Sequence, residues 1–375
     1  MKYLLIDANN LAIRHSFAQS GLTNQDSIPT GVHFGFMSSL INLKKRFPEH
    51  KILIVWDGKS ARRMAEAKDG VEKGLVPSGY KENRPRGEEM PQPLKDFYAQ
   101  ADFLKRGIGQ TGIPQICKKN YEADDVIASY CKALKDGAEE IICLTSDHDY
   151  YQLLNEKVSV YDGMKNKMVT EKLFKKEFGI DVSQFIHIDS LCGDISDNIH
   201  GIMSVGKKTA LKWIQEHGSW EGVYKVYHDK YDKLREEHPD LHLPLKKGTD
   251  AYENGLDLEK VFADLKCKKS DPEKKNSRLK YPGIYWGMPF SGVLWAFDSG
   301  SIKMPKTVLM ALIFEERVKL AYSLKKMDDE IPDLPMIEQE EFNCDRLIEY
   351  FEYYDIYTLH DDIDVFESVD DGDDK

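Results

Sequence analysis

Three short apolar runs in this chain close on an aspartate: YLLID ends at Asp7, ILIVWD at Asp57, and IICLTSD at Asp147. Two further runs, Ile113–Cys117 and Val158–Tyr161, have the same character, and amphipathic stretches such as Gly35–Arg46, Leu94–Arg106 and Asp124–Leu134 lie between them. Strand alternating with helix predicts an α/β fold, a mostly parallel central sheet flanked by helices. Parallel strands share one C-terminal edge, and ligands of such sheets bind in the crevice outside it. Three independent strand ends therefore carry an acid to one rim.

Six more acids stand where they can join that rim. Glu122, Asp124 and Asp125 open a helix in YEADDVI, where the positive end of the helix dipole tolerates carboxylates. Asp149 follows Asp147 in LTSDHDYYQL, and Asp194 and Asp197 lie in CGDISDN. One aspartate after a strand is commonly a turn or cap residue, but that explanation must hold at five separate places here. So many carboxylates around one crevice call for divalent cations with oxygen ligands, Mg²⁺ with Mn²⁺ as a substitute. Two such ions ~3.5–4 Å apart are suited to phosphodiester hydrolysis, because together they activate water and offset charge on the leaving oxygen. The eleven histidines show no metal-ligand spacing.

The net charge of −12 looks wrong for a nucleic-acid binder until it is located. Residues 361–375 (DDIDVFESVDDGDDK) supply −7 of it, which leaves −5 for the rest. Basic residues concentrate at 59–119, 206–212 and 266–280, as a phosphate-tracking surface requires. The longest apolar runs fall far short of a membrane span, and Asp7 interrupts the N-terminus before a secretory apolar core could form. Six scattered cysteines without a C-x-x-C pair argue against a zinc site or disulfide framework and for a reducing cytoplasm.

Beyond the sheet region, Ser183–Cys192 reads as a helix, Asp194–Gly206 as a loop, and Lys207–His217 as a helix stopped by Gly218. The string GIMSVGKKT (201–209) follows a helix rather than a strand, so it is not a nucleotide-binding phosphate loop. Its helix N-terminus suits a nucleic-acid phosphate instead. Residues 229–280 are charged and irregular, and 281–300 are rich in glycine and aromatics. Helix is expected again at 306–326 and 342–354, before an acidic tail expected to be disordered.

Taken in order, IDANNLAIR, PTGVHFGF, VWDGKSAR, GYKENRP, YEADDVIA, LTSDHDYYQLL, GDISDNIHGIMSVGKKTALKWI and HGSWEGVY resemble the structure-specific 5′-nucleases, meaning phage flap endonucleases and the 5′-nuclease domain of bacterial DNA polymerase I. The resemblance covers residues 1–228 almost continuously and returns at 318–360, in VKLAYSLKKMDDEIP and NCDRLIEYFEYYDIYTL. It implies a PIN-like nuclease core over 1–182 with a helical arch at about 58–100, and a helix–three-turn–helix duplex-binding region over 183–228. It further implies an insertion at 229–317, a C-terminal return segment at 318–360, and the acidic tail at 361–375.

The same resemblance implies roles. Asp7, Asp57, Glu122 and Asp124 would hold a first metal. Asp147, Asp149 and Asp194 would hold a second, with Asp124 bridging and with Asp125 and Asp197 acting through waters. Lys81 and Arg84 would act catalytically on the scissile phosphate. Tyr80 would stack on a base, and Arg14 and Arg62 would lie near the substrate 5′ region. Gly201, Ser204, Gly206, Lys207, Lys208 and Thr209 would grip duplex backbone, with a K⁺ ion at the hairpin. Expected partners are DNA with a 5′ flap, branch or nick, an RNA–DNA hybrid, and a replication protein reached by the acidic tail. The chain is expected to be a monomer in bacterial or phage-infected host cytoplasm, without membrane contact.

Three departures qualify this. Ser204 replaces a glycine and His200 a proline of the usual hairpin, residues 63–79 are longer than expected, and no polymerase domain follows, which predicts a stand-alone nuclease. Competing readings are a non-catalytic DNA-junction binder and a single-strand ribonuclease of the toxin type.

Overall fold

The computed structural model describes residues 1–203, 205–237, 311–312 and 314–367. Ser204, most of the expected insertion with its lysine run and aromatic stretch, and the last eight residues of the acidic tail lie outside the described residues. The chain divides into two compact units: Met1–Ala61 with Pro85–Val182 and Met327–Lys375, and Arg62–Arg84 with Ser183–Lys326. Among the described residues no helix is long and apolar enough to cross a membrane.

The first unit is built on a six-stranded sheet. In chain order its strands are β1 (Lys2–Asp7), β2 (His50–Trp56), β3 (Gln115–Cys117), β4 (Glu140–Leu144), β5 (Val158–Asp162) and β6 (Lys167–Val169). Their spatial order is β3-β2-β1-β4-β5-β6, parallel throughout except for β6, which pairs antiparallel with β5. The expected mostly parallel sheet is therefore present. Because the chain runs outward from β1 to β3 and then returns to the other side of β1 with β4, the strand order reverses between β1 and β4. That reversal is where an open α/β sheet places its ligand crevice.

Helices α1 (Ala8–Ala18), α2 (Gly31–Arg46), α4 (Gln92–Gly109) and α5 (Ala123–Leu134) cover the sheet, with α3 (Ala61–Glu72) leading into the second unit. α2 begins four residues before the expected Gly35. A Cβ on Gly31 would lie 2.3 Å from the Gln19 carbonyl oxygen, so only glycine lets the first turn of α2 lie against the end of α1. β6 escaped the sequence pattern because three residues after a turn carry no readable period; Asn166 in that turn has φ +48°.

The core joins Leu4, Ile6, Ile52, Ile54 and Trp56 of the sheet to Phe36 and Leu40 of α2 and Phe97 and Leu104 of α4. Each fully buried side chain of this size contributes about 1.5–3 kcal/mol through water release. After α6 (Glu171–Phe178) the chain enters the second unit.

Its elements are α7 (Phe185–Cys192), a short hairpin of β7 (Gly193–Asp194) and β8 (Ile199–His200), α8 (Lys207–His217), α9 (Trp220–Glu237) and α10 (Glu315–Lys325). α7 packs on both α8 and α10. α3 also approaches α10 closely: a Cβ on Gly70 would lie 2.4 Å from Leu320 Cδ2.

The chain then returns to the first unit as α11 (Cys344–Tyr353) and a 3-10 helix over Tyr357–Phe366. Buried His33 of α2 lies between α4 and α11, with Nδ1 2.5 Å from the Tyr350 hydroxyl, Nε2 3.1 Å from Gln100 Oε1, and its ring stacked on Tyr354. The tail expected to be disordered from residue 361 is corrected here for its first residues. Ile363 and Phe366 are buried in the same core, and Lys45 pairs with Asp362, so the acidic composition conceals an apolar spacing that anchors the segment.

Candidate metal centre

Asp7 ends β1 and caps α1: its Oδ1 accepts from the Asn10 N–H at 2.9 Å. Its Oδ2 accepts from the Tyr150 hydroxyl at 3.1 Å and lies 3.5 Å from the Thr145 hydroxyl. The residue is only 8% exposed. Burial first, and then the neighbouring charges of Asp57 and Asp147, push its carboxyl well above the usual carboxylate range.

Asp57 follows β2 and is exposed; its Oδ1 accepts from the Ala123 N–H at 2.9 Å, at the start of α5. Its own N–H donates to Asn9 Oδ1 at 3.1 Å. Asn10 does the same work on the other side, its Oδ1 accepting from both the N–H and the hydroxyl of Ser146. Two asparagines, two and three residues after Asp7, thus tie the loops leaving β2 and β4 to the first turn of α1. No local sequence pattern marks either asparagine for this role.

Glu122 is the N-cap of α5, in a reciprocal capping box with Asp125. Asp125 is 1% exposed, and both of its oxygens accept backbone N–H groups, from Glu122 at 3.3 Å and Asp328 at 2.8 Å. That geometry suits a carboxylate holding α5 against the C-terminal return segment. Asp124, one residue earlier, is partly exposed, with Oδ1 accepting from the Asp125 N–H. Asp147 caps a 3-10 helix over His148–Leu153, its Oδ1 accepting from the Asp149 N–H at 2.9 Å.

Tyr150, which the sequence reading passed over, reports the convergence. Its hydroxyl is driven far above the ordinary phenol range by burial, then by the charges of Asp7, Asp124, Asp57 and Asp147. Those four acids come from the ends of β1 and β2, the first turn of α5 and the loop after β4, and all act on one buried oxygen. The set is entirely carboxylate oxygen, the donor chemistry of a hard divalent cation. Without a cation these carboxylates repel one another, and the charges of Asp57 and Asp147 add to burial, the larger cause, in raising the Asp7 carboxyl.

The second unit holds the other expected residues. Asp194 Oδ1 accepts from the N–H and hydroxyl of Ser196 at 2.8 and 2.6 Å, and Oδ2 accepts from the Lys325 ammonium at 2.8 Å. Burial raises this carboxyl, but the Lys325 charge and hydrogen bond with those of Ser196 outweigh it and hold it down at about 2. Asp197 accepts from Arg84 at 2.8 Å, has the Lys81 ammonium at 3.9 Å, and takes the Tyr80 hydroxyl at 3.3 Å. The segment 78–84 is further pinned to this loop by Lys81 N–H to the Asp197 carbonyl, Asn83 to the Ile195 carbonyl, and Asn198 to Ser78 and the Gly79 carbonyl. Lys81 and Asn198 both have positive φ, at 56° and 58°.

Gly201 and Gly193 approach each other so closely that a Cβ on either would lie within 2.5 Å of backbone atoms in the other strand or its neighbour. Gly206 is the open N-cap of α8, with exposed Lys207 and Lys208 and partly exposed Thr209 in the first turn. Lys207 pairs with buried Asp189 at 3.2 Å. Arg62 donates to the Ser323 and Lys326 carbonyls at 2.7 and 2.6 Å, closing the end of α10. Arg14, in the first unit, is partly buried near Asp162, and burial lowers its guanidinium despite that acid.

Comparison with known proteins places these residues in context. The family described as 5'-3' exonuclease, N-terminal resolvase-like domain, matches residues 2–179, and its companion, the 5'-3' exonuclease C-terminal SAM fold, matches 180–273. A 5'-3' exonuclease of Aquifex aeolicus is 31% identical over 281 residues, covering 74% of this chain and 90% of that protein. The thermostable DNA polymerase I of Thermus thermophilus is 30% identical over 264 residues, 70% of this chain, and the chain spans 29% of its length. The catalytic core of Rad2 in complex with DNA substrate matches in fold, with a TM-score of 0.52 at 15% identity over 97% of this chain and 91% of that one.

Proposed function

The chain belongs to the 5'-3' exonuclease family, nucleases that hydrolyse phosphodiester bonds, and on that premise we propose that it cleaves DNA at or near 5′ ends, acting on flaps, nicks or branched duplex. The observation that carries the reading is that Asp7, Asp57 and Asp147 leave neighbouring parallel strands at one sheet edge, where Asp57 accepts from the Ala123 N–H that opens the helix bearing Asp124 and Asp7 is tied through Asn9 and Asn10 to the other two loops. In this reading Asp7, Asp57, Glu122 and Asp124 hold one divalent cation, Mg²⁺ with Mn²⁺ as substitute. Asp147 and Asp149 are candidate ligands for a second, and Asp194, with Asp197 through water, is the second unit's candidate cation contact. Bound divalent cations would supply Lewis-acid activation of water and charge neutralisation at the leaving oxygen.

The protein's own part is positional. Asn9 and Asn10 hold the loops bearing Asp57 and Asp147. Asp125 fixes the turn that bears Glu122 and Asp124. Tyr150 keeps one oxygen of buried Asp7 hydrogen-bonded, which restrains rotation of that carboxylate. Lys81 and Arg84 are cations for the scissile phosphate, resting on Asp197 until a stronger anion competes. The α8 N-terminus with Lys207, Lys208 and Thr209 offers N–H groups and charge to a duplex phosphate, a contact that reads backbone rather than base sequence. A K⁺ ion at this hairpin, an RNA–DNA hybrid as substrate, and monomeric action in a cytoplasm complete the reading.

The test is incubation with a 5′-labelled flap, a blunt duplex and single-stranded RNA, with Mg²⁺ or with EDTA. Mg²⁺-dependent cleavage confined to the flap and duplex is the expected result. Binding of the flap without cutting under any metal would make this a junction-binding protein, and cutting of the RNA alone would make it a ribonuclease.

A further inference from the structure

The carboxylate of Asp194 is almost fully engaged inside its own unit. Ser196 donates to Oδ1 twice, and Lys325 donates to Oδ2 at 2.8 Å. A carboxylate offers about four acceptor positions, so three are taken, and the oxygen with room left already faces the positively charged Lys325 ammonium.

Lys325 is placed there with some care. Its side chain is only 2% exposed, and a buried ammonium persists only where anionic partners repay its desolvation. It is the last residue of α10, where the negative end of the helix dipole favours a cation. The backbone around it is closed by Arg62, which donates to the Ser323 and Lys326 carbonyls on either side. Phe314 and Lys326 cap the two ends of α10, which packs on α7, so the ammonium is presented from a rigid element rather than a loop.

We propose that Lys325 is a built-in competitor for the cation at Asp194: a divalent ion engages this carboxylate only by displacing the Lys325 ammonium. The inference rests on the reading of Asp194 as a metal ligand. It adds that this position is never an empty anionic hole. The ammonium neutralises the acid when no metal is bound, and it weakens the site by demanding its own removal. Lys325 is thus a positioning residue acting through Asp194, and it sets the metal concentration at which that ligand is recruited. Arg62, by fixing the end of α10, sets where the ammonium sits.

The experiment measures Mn²⁺ binding to the full chain without DNA, by calorimetry and by the loss of the free-ion resonance signal. It uses the wild type, Lys325→Met, Lys325→Gln, Lys325→Arg, Asp194→Asn and the Asp194→Asn/Lys325→Met double variant. Circular dichroism confirms folding, and Lys325→Gln, which keeps a donor to Asp194, stands in if the methionine variant fails to fold. Loss of the charge should tighten one Mn²⁺ site by about tenfold or more, Lys325→Arg should stay near wild type, and the gain should vanish in the double variant. A structural ion pair would instead move stability and leave affinity unchanged. Folded Lys325→Gln with wild-type affinity, or a gain that survives Asp194→Asn, overturns the inference while leaving the metal reading intact. No saturable Mn²⁺ binding in any variant overturns both.

Discussion

The Tyr150 hydroxyl donates to Asp7 Oδ2 at 3.1 Å, and both side chains are buried where three other acids also act on the same phenol. The strand-ending carboxylate is therefore held by a neutral donor, not by a base. That arrangement leaves its charge to be answered by something else.

Asp7 makes the metal-free protein pH-sensitive in a definite direction. Its folded carboxyl titrates well above its unfolded value, chiefly because it is buried and then because Asp57 and Asp147 are near. The folded state therefore binds more protons in the window between the two values, and the contribution of this group to stability is lost as pH rises through the folded value. A divalent cation should reverse the loss. Thermal melts with and without Mg²⁺ should show a larger metal-induced rise in Tm at pH 8 than at pH 5; an equal rise at both would refute the assignment.

Asp147→Asn should reduce cleavage of a flap by at least about 10²-fold while flap binding stays within about threefold, since the carboxylate acts on the metal rather than on the DNA. Gel-shift and single-turnover assays on one preparation separate the two. Wild-type cleavage by this variant would remove Asp147 from the metal centre.

Asn10→Ala removes the acceptor for both the N–H and the hydroxyl of Ser146. The cost should be about 0.5–1.5 kcal/mol in chemical denaturation, the net worth of a hydrogen bond whose groups are only half-buried. Because the loop that carries Asp147 loosens with it, metal affinity should fall as well. A stable variant with unchanged Mn²⁺ binding would show that this asparagine pair is not what places the loop.

Lys208→Ala should weaken duplex binding similarly for unrelated sequences and lower the slope of log affinity against log salt by about 1, as loss of one phosphate contact does. An unchanged slope would take the start of α8 out of the DNA contact.

Phe366→Ala should destabilise the protein by about 3–5 kcal/mol, because the ring is fully buried in the sheet core. A truncation after Asp355 should be worse still. A cost below about 0.5 kcal/mol, usual for a surface residue, would return this segment to the disordered tail that its composition suggested.

DDIDVF is dominated by acids, and composition outvoted the two apolar residues at a three-residue spacing that lead it into the core. The strands failed only where they were too short to show a period, as in β6. At the candidate metal centre the strand-ending acids were legible because Asp7, Asp57 and Asp147 each follow an apolar run. Tyr150, Asn9 and Asn10 were not, since a tyrosine or asparagine beside an acid carries no sign of what it will touch. Arg62 was expected near substrate, yet it closes the end of α10, 261 residues away in sequence from its Ser323 partner.

Periodicity and composition alone determined the sheet, its helical cover and the acids that reach its C-terminal edge, because those follow from local preference and from burying one face of each element. Only the folded chain decided which acids are already matched: Asp125 to backbone, Asp194 to Lys325, Asp197 to Arg84. Charge pairing depends on distances of a few ångströms between residues remote in sequence, and no local pattern encodes those distances.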